Sequence, residues 1–301
     1  MDKIGILNKE NIVDLSKIKG SIWFDGEIVD WQDATVHLLT HTLHYGLGVF
    51  EGVRAYNTKE GPSIFRLEDH TARLFKSAET VSLKIPFSQT QINDAHKQII
   101  KLNNLTEGYI RPMCFYGSEG MGLRADNLEV HCMVAAWEWP SYMEPEAREK
   151  GIKVKLSSYV SQVRNPLSSA NLNWNYVHSI VALNEALEEG YEEALMLDAE
   201  GFIAEGSGEN FFIVKDSVLL TPDLDASLDG ITRRTILDLA KELNIKSEIK
   251  KLTVEDVLSA DEAFFSGTAA EVVPINSLDL SLIHISEPTR RTPISYAVFC
   301  L

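Results

Sequence analysis

Residues 193–221 read EALMLDAEGFIAEGSGENFFIVKDSVLLT. The stretch predicts a strand, a turn at Asp198–Gly201 and a second strand. Beyond Glu205-Gly206-Ser207-Gly208-Glu209-Asn210 it predicts a third strand ending in a hairpin turn at Lys215–Ser217. Strand follows strand on short turns, so the stretch lacks the regular βαβ alternation of a parallel α/β fold.

Outward from it the hydrophobic period changes. Downstream, Ile236, Leu239, Ala240 and Leu243 place Thr232–Leu243 on a helix, a Thr-x-x-Asp cap opens Thr253–Ser259, and Glu262–Phe265 is an apolar strand. Upstream, Val177–Glu189 is an amphipathic helix closed by Gly190, and Ile152, Val154 and Leu156 alternate with polar residues as a half-buried strand. The polar, Pro-containing stretch 140–150 breaks the pattern. Before it lie a hairpin over Ser21–Asp30, a strand region over Leu47–Tyr56 with a turn at Asn57–Pro62, and helices over Leu67–Val81 and Gln91–Leu102. Strands over Tyr109–Phe115 and Glu129–Trp137 flank a glycine-rich loop at Gly117–Gly122. The mixture predicts an α+β chain: a smaller N-terminal α/β domain over 1–140, a linker over 141–150 and a larger domain over 151–279.

The chain carries 28 Lys or Arg against 44 Asp or Glu, a net charge of −16 over 301 residues. Without a basic cluster it has no footprint for a nucleic acid. No apolar run is long enough to span a bilayer, and Met1–Gly20 lacks the apolar core of a signal peptide. Cys114, Cys132 and Cys300 make neither a Cys-x-x-Cys pair nor a disulfide framework, which suits a reducing compartment. The expectation is a soluble cytoplasmic protein with no nucleic-acid or membrane partner. Residues 280–301, LSLIHISEPTRRTPISYAVFCL, contain no Asp, Lys or Gly, although the preceding chain is rich in all three. They resemble the translated adapter sequence of DNA library preparation and are read as a non-native tail, outside the fold. Removing them takes two arginines, one glutamate and Cys300, leaving a charge of −17 and a native chain cut short after Asp279.

Three segments place glycines and hydroxyls beside a turn: Glu205–Asn210, Asp229-Gly230-Ile231-Thr232-Arg233 and Ser266-Gly267-Thr268-Ala269. Glycine permits close backbone approach, and hydroxyls with helix N-terminal amides bind oxyanions, so together they suit a phosphorylated cofactor. Arg73 sits at helical spacing, as a solvated arginine or an anion ligand. Arg111, inside the apolar Tyr109-Ile110-Arg111-Pro112, must meet a carboxylate or phosphate to offset its desolvation. Tyr45, Phe50, Trp139 and Tyr142 line an apolar pocket or belong to the core. Glu205 follows an apolar strand, which suits a buried partner. His41 and His44 lack a third ligand at metal spacing, so no metal is expected.

Trp23-Phe24-Asp25-Gly26, His44-Tyr45-Gly46, Phe50-Glu51-Gly52-Val53-Arg54, Tyr109-Ile110-Arg111-Pro112, Glu205–Asn210, Gly230-Ile231-Thr232-Arg233 and Ser266–Glu271 occur in this order. From Ser21 to Asp279 the chain resembles the branched-chain amino-acid aminotransferases, of the pyridoxal-phosphate fold-type-IV family with its D-amino-acid-aminotransferase-like fold. The resemblance implies transfer of the amino group of leucine, isoleucine or valine to 2-oxoglutarate through pyridoxal 5′-phosphate, in a homodimer or higher homo-oligomer. It implies that Arg73, Ile231, Thr232 and Thr268 hold the cofactor phosphate, that Glu205 faces the pyridine nitrogen, and that Tyr176 faces the phenolic oxygen. Thr268, Ala269 and Tyr109 would take the substrate α-carboxylate, Arg111 the side-chain carboxylate of glutamate. Tyr45, Phe50, Trp139 and Tyr142 would wall the aliphatic pocket. Within the fold, D-amino-acid aminotransferase and aminodeoxychorismate lyase are the alternatives.

The resemblance also implies a lysine five residues before Tyr176, to bind the cofactor covalently and carry a proton. That position is Asn171; Trp174 replaces a glycine and His178 an asparagine. Lys153, Lys155 and Lys215 are out of register. Lysine and asparagine codons differ at one base, but three departures between 171 and 178 favour divergence over a single error. An asparagine amide supplies neither nucleophile nor base, so cofactor binding would be non-covalent. A non-catalytic ligand-binding or oligomer-forming paralogue is the reading from another class.

Overall fold

Asp25 and Gly26 both take positive φ, 49° and 94°. This is the two-residue turn whose twist matches paired antiparallel strands, and it closes β1 (Ser21–Phe24) onto β2 (Glu27–Asp30). The structure is a computed structural model that describes residues 13–139, 150–161, 167, 170–279 and 281–282. Tyr142, nearly all of the expected linker and the adapter-like tail beyond Leu282 lie outside the described residues. The chain divides into two units: Val13–Pro140 with Ala170–Trp174, and Ser141–Ser169 with Asn175–Leu301. The segment that carries Asn171 thus belongs to the first unit, which no linear division of the sequence anticipates.

In the first unit the sheet continues through β3 (Gly48–Phe50), β4 (Val53–Thr58), β5 (Gly61–Ile64), β6 (Gly108–Tyr116) and β7 (Val130–Trp137). Its order is β2-β1-β7-β6-β4-β5, with β3 also on β6, and its pairings are antiparallel. The turn expected at Asn57–Pro62 is shorter, because β4 runs to Thr58 and β5 restarts at Gly61. Pro62 is tolerated there because β5 is an edge strand. A short helix that the sequence pattern did not announce, α1 (His41–Tyr45), is closed by Gly46 at φ 69°. Helices α2 (Leu67–Thr80) and α3 (Gln89–Leu102) follow the expected positions. A capping box between Ser88 and Gln91 starts α3, and Ile92, Ala95 and Ile99 form its buried face.

The second unit is built on strands that carry apolar residues on both faces. In β11 (Asn210–Lys215), Phe211 and Ile213 face a cluster with Ile152, Leu195, Phe265 and Leu252. The alternate Phe212 and Val214 pack with Phe264, Ile236 and Ala240. Period two on a doubly buried strand explains the unbroken Phe-Phe-Ile-Val run. The decisive stretch forms β9 (Glu193–Leu197), β10 (Ile203–Gly206), β11 and β12 (Val218–Thr221). Pairing is antiparallel among these four, whereas β8 (Ile152–Leu156) joins β9 and β15 (Glu271–Leu278) in parallel, as β13 (Ser247–Ile249) joins β12. Helices α4 (Tyr176–Glu188) and α5 (Ile231–Glu242) pack on the sheet at β9 and at β14 (Glu262–Gly267). The whole is an α+β, two-unit fold.

Phe212 and Phe264 are fully buried and stack with centroids 5.1 Å apart. Phe264→Ala is therefore expected to cost about 3–5 kcal/mol in urea unfolding; a cost below about 1 kcal/mol would mean that this layer is not the core.

Candidate active site

Alternation along β6 aims Tyr109 and Arg111 to one face of the first unit's sheet. The Arg111 Nη2 donates to the Tyr109 hydroxyl at 3.1 Å, and its guanidinium lies 4.5 Å from the Phe50 ring centroid. Tyr109 meets Trp139 edge to face at 4.7 Å. Four expected substrate residues, Phe50, Tyr109, Arg111 and Trp139, thus come together. The Arg111 Nε is buried without a hydrogen-bond partner among the described residues, so the cluster offers a donor to an incoming acceptor. Tyr45 packs instead on His41, 4.5 Å between centroids, and its hydroxyl accepts the Gly122 amide at 3.1 Å. His41 Nε2 and His44 Nε2 meet the backbone oxygens of Gly122 and Leu38, at 2.8 and 2.9 Å.

Arg73, on α2, donates through Nε and Nη2 to Glu51, at 2.7 and 2.8 Å, and His70 Nδ1 meets the same carboxylate at 2.8 Å. Glu51 is fully buried. Burial alone would raise its pKa, but the charge and hydrogen bonds of Arg73 and His70 hold it down to about 2. The sequence pattern does not announce this group, because the glutamate lies in the link between β3 and β4, far along the chain from the helix it anchors.

Asn171 is 3% exposed. Its amide donates to Ser77 Oγ at 3.0 Å, its carbonyl accepts the Phe50 amide at 3.2 Å, and Leu172 bridges to Val49. Position 171 is therefore fixed at the end of β3. Trp174 stands against Gly46, where an added Cβ would approach the Trp174 Cβ to 3.0 Å. Among the out-of-register lysines, Lys155 pairs with Glu189 and Lys215 with Ser259, and Lys153 is exposed.

In the second unit Glu205 lies near the end of β10. Its Oε2 accepts the Leu228 amide at 3.0 Å and Asn210 Nδ2 at 3.3 Å, both neutral donors. Burial pushes its pKa up to about 8. Glu193, on β9, and Glu209, just before β11, rise to about 8 and about 7, burial being the largest cause and the charge of Glu209 adding for Glu193. Glu193 Oε2 has no partner among the described residues. Ile231 and Thr232 open α5 behind Gly230, with no side chain capping the helix amides. A Cβ at Gly230 would fall 2.0 Å from Asn210 Oδ1, so only glycine lets the helix start there. Thr268 and Ala269 form the half-buried turn between β14 and β15, and Tyr176 is the first, half-buried residue of α4.

The chain belongs to the amino-transferase class IV family, which it matches over residues 48–278. It is 56% identical over 261 residues to the branched-chain-amino-acid aminotransferase of Pseudomonas aeruginosa, covering 86% of this chain and 85% of the relative. To that of Escherichia coli K12 it is 43% identical, covering 86% and 84%. The crystal structure of the Escherichia coli enzyme superposes with a TM-score of 0.90 at 40% identity, over 94% of this chain and 93% of that one. The branched-chain amino acid aminotransferase of Thermobaculum terrenum, solved in its pyridoxal-phosphate form, superposes at 0.84 and 30% identity, over 93% and 91%.

The family's cofactor is pyridoxal 5′-phosphate. The second unit fits two ends of it: a protonated ring nitrogen supplies a cation for Glu205, and the uncapped amides of α5 suit a phosphate. Position 171 does not fit its covalent attachment.

From about pH 4.5 to about 8 the folded chain keeps protons on Glu193, Glu205 and Glu209 that the unfolded chain releases, so rising pH destabilises it. The melting temperature of the cofactor-free protein should fall across that window, and less steeply in Glu205→Gln; equal slopes would contradict the assignment. Gly52→Ala puts a Cβ 2.0 Å from the Tyr109 hydroxyl. It should cost about 1–3 kcal/mol in urea unfolding, partly recovered when combined with Tyr109→Phe.

Proposed function

We propose that the chain holds pyridoxal 5′-phosphate without a covalent bond. Its transfer of the amino group between leucine, isoleucine or valine and 2-oxoglutarate then runs several orders of magnitude below that of a lysine-bearing relative. The observation that carries this reading is the buried, backbone-fixed Asn171 at the position of the family lysine.

The remaining residues retain their roles. Glu205 keeps a proton on the ring nitrogen, paired as carboxylate to pyridinium. Ile231 and Thr232 amides with the Thr268 hydroxyl hold the phosphate, and Arg73, positioned by Glu51 and His70, adds its charge. Tyr176 donates to the phenolic oxygen. The bound cofactor supplies an electron sink for the charge left when a Cα–H bond breaks. Phe50, Trp139, Tyr45 and Tyr142 take an aliphatic side chain by burial, and Arg111 pairs with a carboxylate when the side chain is that of glutamate. Tyr109, Thr268 and Ala269 orient the α-carboxylate. Asn171 moves no proton, because its amide is neither acid nor base near neutral pH. The chain works as a cytoplasmic homo-oligomer. The homo-oligomer is supported by exposed apolar side chains, Leu43 and Leu123 in one unit and Val177 and Ile180 in the other. Among the described residues no helix is long and apolar enough to cross a membrane.

Turnover of leucine with 2-oxoglutarate tests the reading. Asn171→Lys is expected to exceed the native chain in kcat by at least about three orders of magnitude, as loss of nucleophile and base together implies. Equal rates would overturn it.

A further inference from the structure

Cys114 on β6 and Cys132 on β7 face each other in register, both about 1% exposed. Antiparallel pairs alternate between hydrogen-bonded and non-hydrogen-bonded kinds, and side chains approach most closely in the second. Cys132 settles which kind this is. Its amide donates to Asp25 Oδ1 at 2.7 Å and its carbonyl accepts the Asp25 amide at 2.9 Å. Both its backbone groups therefore point away from β6, toward the β1–β2 turn. The Cys114–Cys132 pair is the narrow, non-hydrogen-bonded kind, with Cα atoms about 4.5 Å apart. That separation falls within the roughly 4.4–6.8 Å that a disulfide spans. The Sγ atoms already lie 3.0 Å apart, closer than two sulfur atoms pack without a hydrogen bond or a covalent bond between them.

We propose that Cys114 and Cys132 are a two-electron redox pair, which a small peroxide joins into a disulfide clamping β6 to β7 without rearranging the sheet. One sulfur gives up its proton and attacks a peroxide oxygen, forming a sulfenic acid and releasing water. The second sulfur then loses its proton and attacks the first, and the sulfenic oxygen departs as water. Two thiols and one hydrogen peroxide become one disulfide and two waters; each sulfur loses one electron, and the peroxide gains both. The oxidant class follows from the burial. Cys114 is held well above its ordinary pKa by its hydrogen bond with Cys132 and by burial, so thiolate is scarce and bulky disulfide reagents have no path to it. A small peroxide meets no obstacle of size, and because it too is attacked by the thiolate, the raised pKa makes its reaction slow rather than excluding it.

The bond would act on the proposed site without touching it. Cys114 is also the register partner of Val49 on β3, and Val49 bridges to Leu172, the neighbour of Asn171. Tying β6 to β7 stiffens the sheet against which position 171 is fixed. Sequence spacing hid the pair, because the segment 115–131 separates the two cysteines and only strand register joins them.

The test exposes the full chain, carrying Cys300→Ser, to hydrogen peroxide, followed by alkylation in denaturant and peptide mass spectrometry. The expected product is one cross-linked peptide pair through Cys114 and Cys132, lighter by two hydrogens and restored by a phosphine reductant. Its melting temperature rises by several degrees, and Cys132→Ala shows no such rise. Recovery of both thiols as alkylated residues, or oxidation that stops at sulfinic acid on either one, overturns the proposal. Because the cross-link is read in the parent chain, the result does not depend on how well the alanine variant folds. It is also independent of turnover, so it stands or falls apart from the assignment of Asn171.

Discussion

The backbone at position 171 is held from both sides: its amide on Ser77 Oγ, its carbonyl on the Phe50 amide. Phe50 is also the residue whose ring the Arg111 guanidinium faces. One short segment, joined to the sheet by a bridge between Val49 and Leu172, therefore sets the residue at 171 and borders the group proposed to read the substrate side chain. The constraint acts on the main chain and is indifferent to the side chain it carries. An asparagine can occupy the place of a lysine and leave the fold intact, while the chemistry that needs an amine is lost.

The two units treat buried charge in opposite ways. In the first, Glu51 is wholly buried but opposed by Arg73 and His70, and it stays ionised to low pH. Removing either partner would strand a charge, which makes the arrangement a rigid anchor for Arg73. In the second, Glu205 accepts from neutral donors and Glu193 and Glu209 lie near one another, so desolvation keeps protons on them near neutral pH. A carboxyl prepared in this way gains most when a cation arrives, because the cation lowers its pKa and the energy of burying the charge is offset by pairing.

Local elements were legible because local physics determines them. Asp25-Gly26 demanded a tight turn, Thr253 announced a helix start, and the Phe211–Val214 run required an apolar strand. The site was legible to the extent that its residues share an element: Tyr109 and Arg111 alternate on one strand, and Ile231 and Thr232 open one helix. Contacts made by register or long return were hidden. Glu51 with Arg73, Cys114 with Cys132, and the return of Ala170–Trp174 to the first unit depend on pairings with no periodicity in the sequence. Glu193 and Glu209 looked like ordinary polar residues, because their burial depends on the tertiary packing around them and not on local sequence. The parallel pairing of β8 with β9 and β15 likewise has no local signal.

The absence of a covalent link at position 171 is the claim on which the functional account rests. It is tested most directly by borohydride reduction in the presence of pyridoxal 5′-phosphate, followed by unfolding and intact-mass measurement. The account predicts that the native chain returns at its own mass, whereas Asn171→Lys carries one reduced cofactor. A native chain that retained the cofactor through unfolding, attached to Lys153, Lys155 or Lys215, would contradict it.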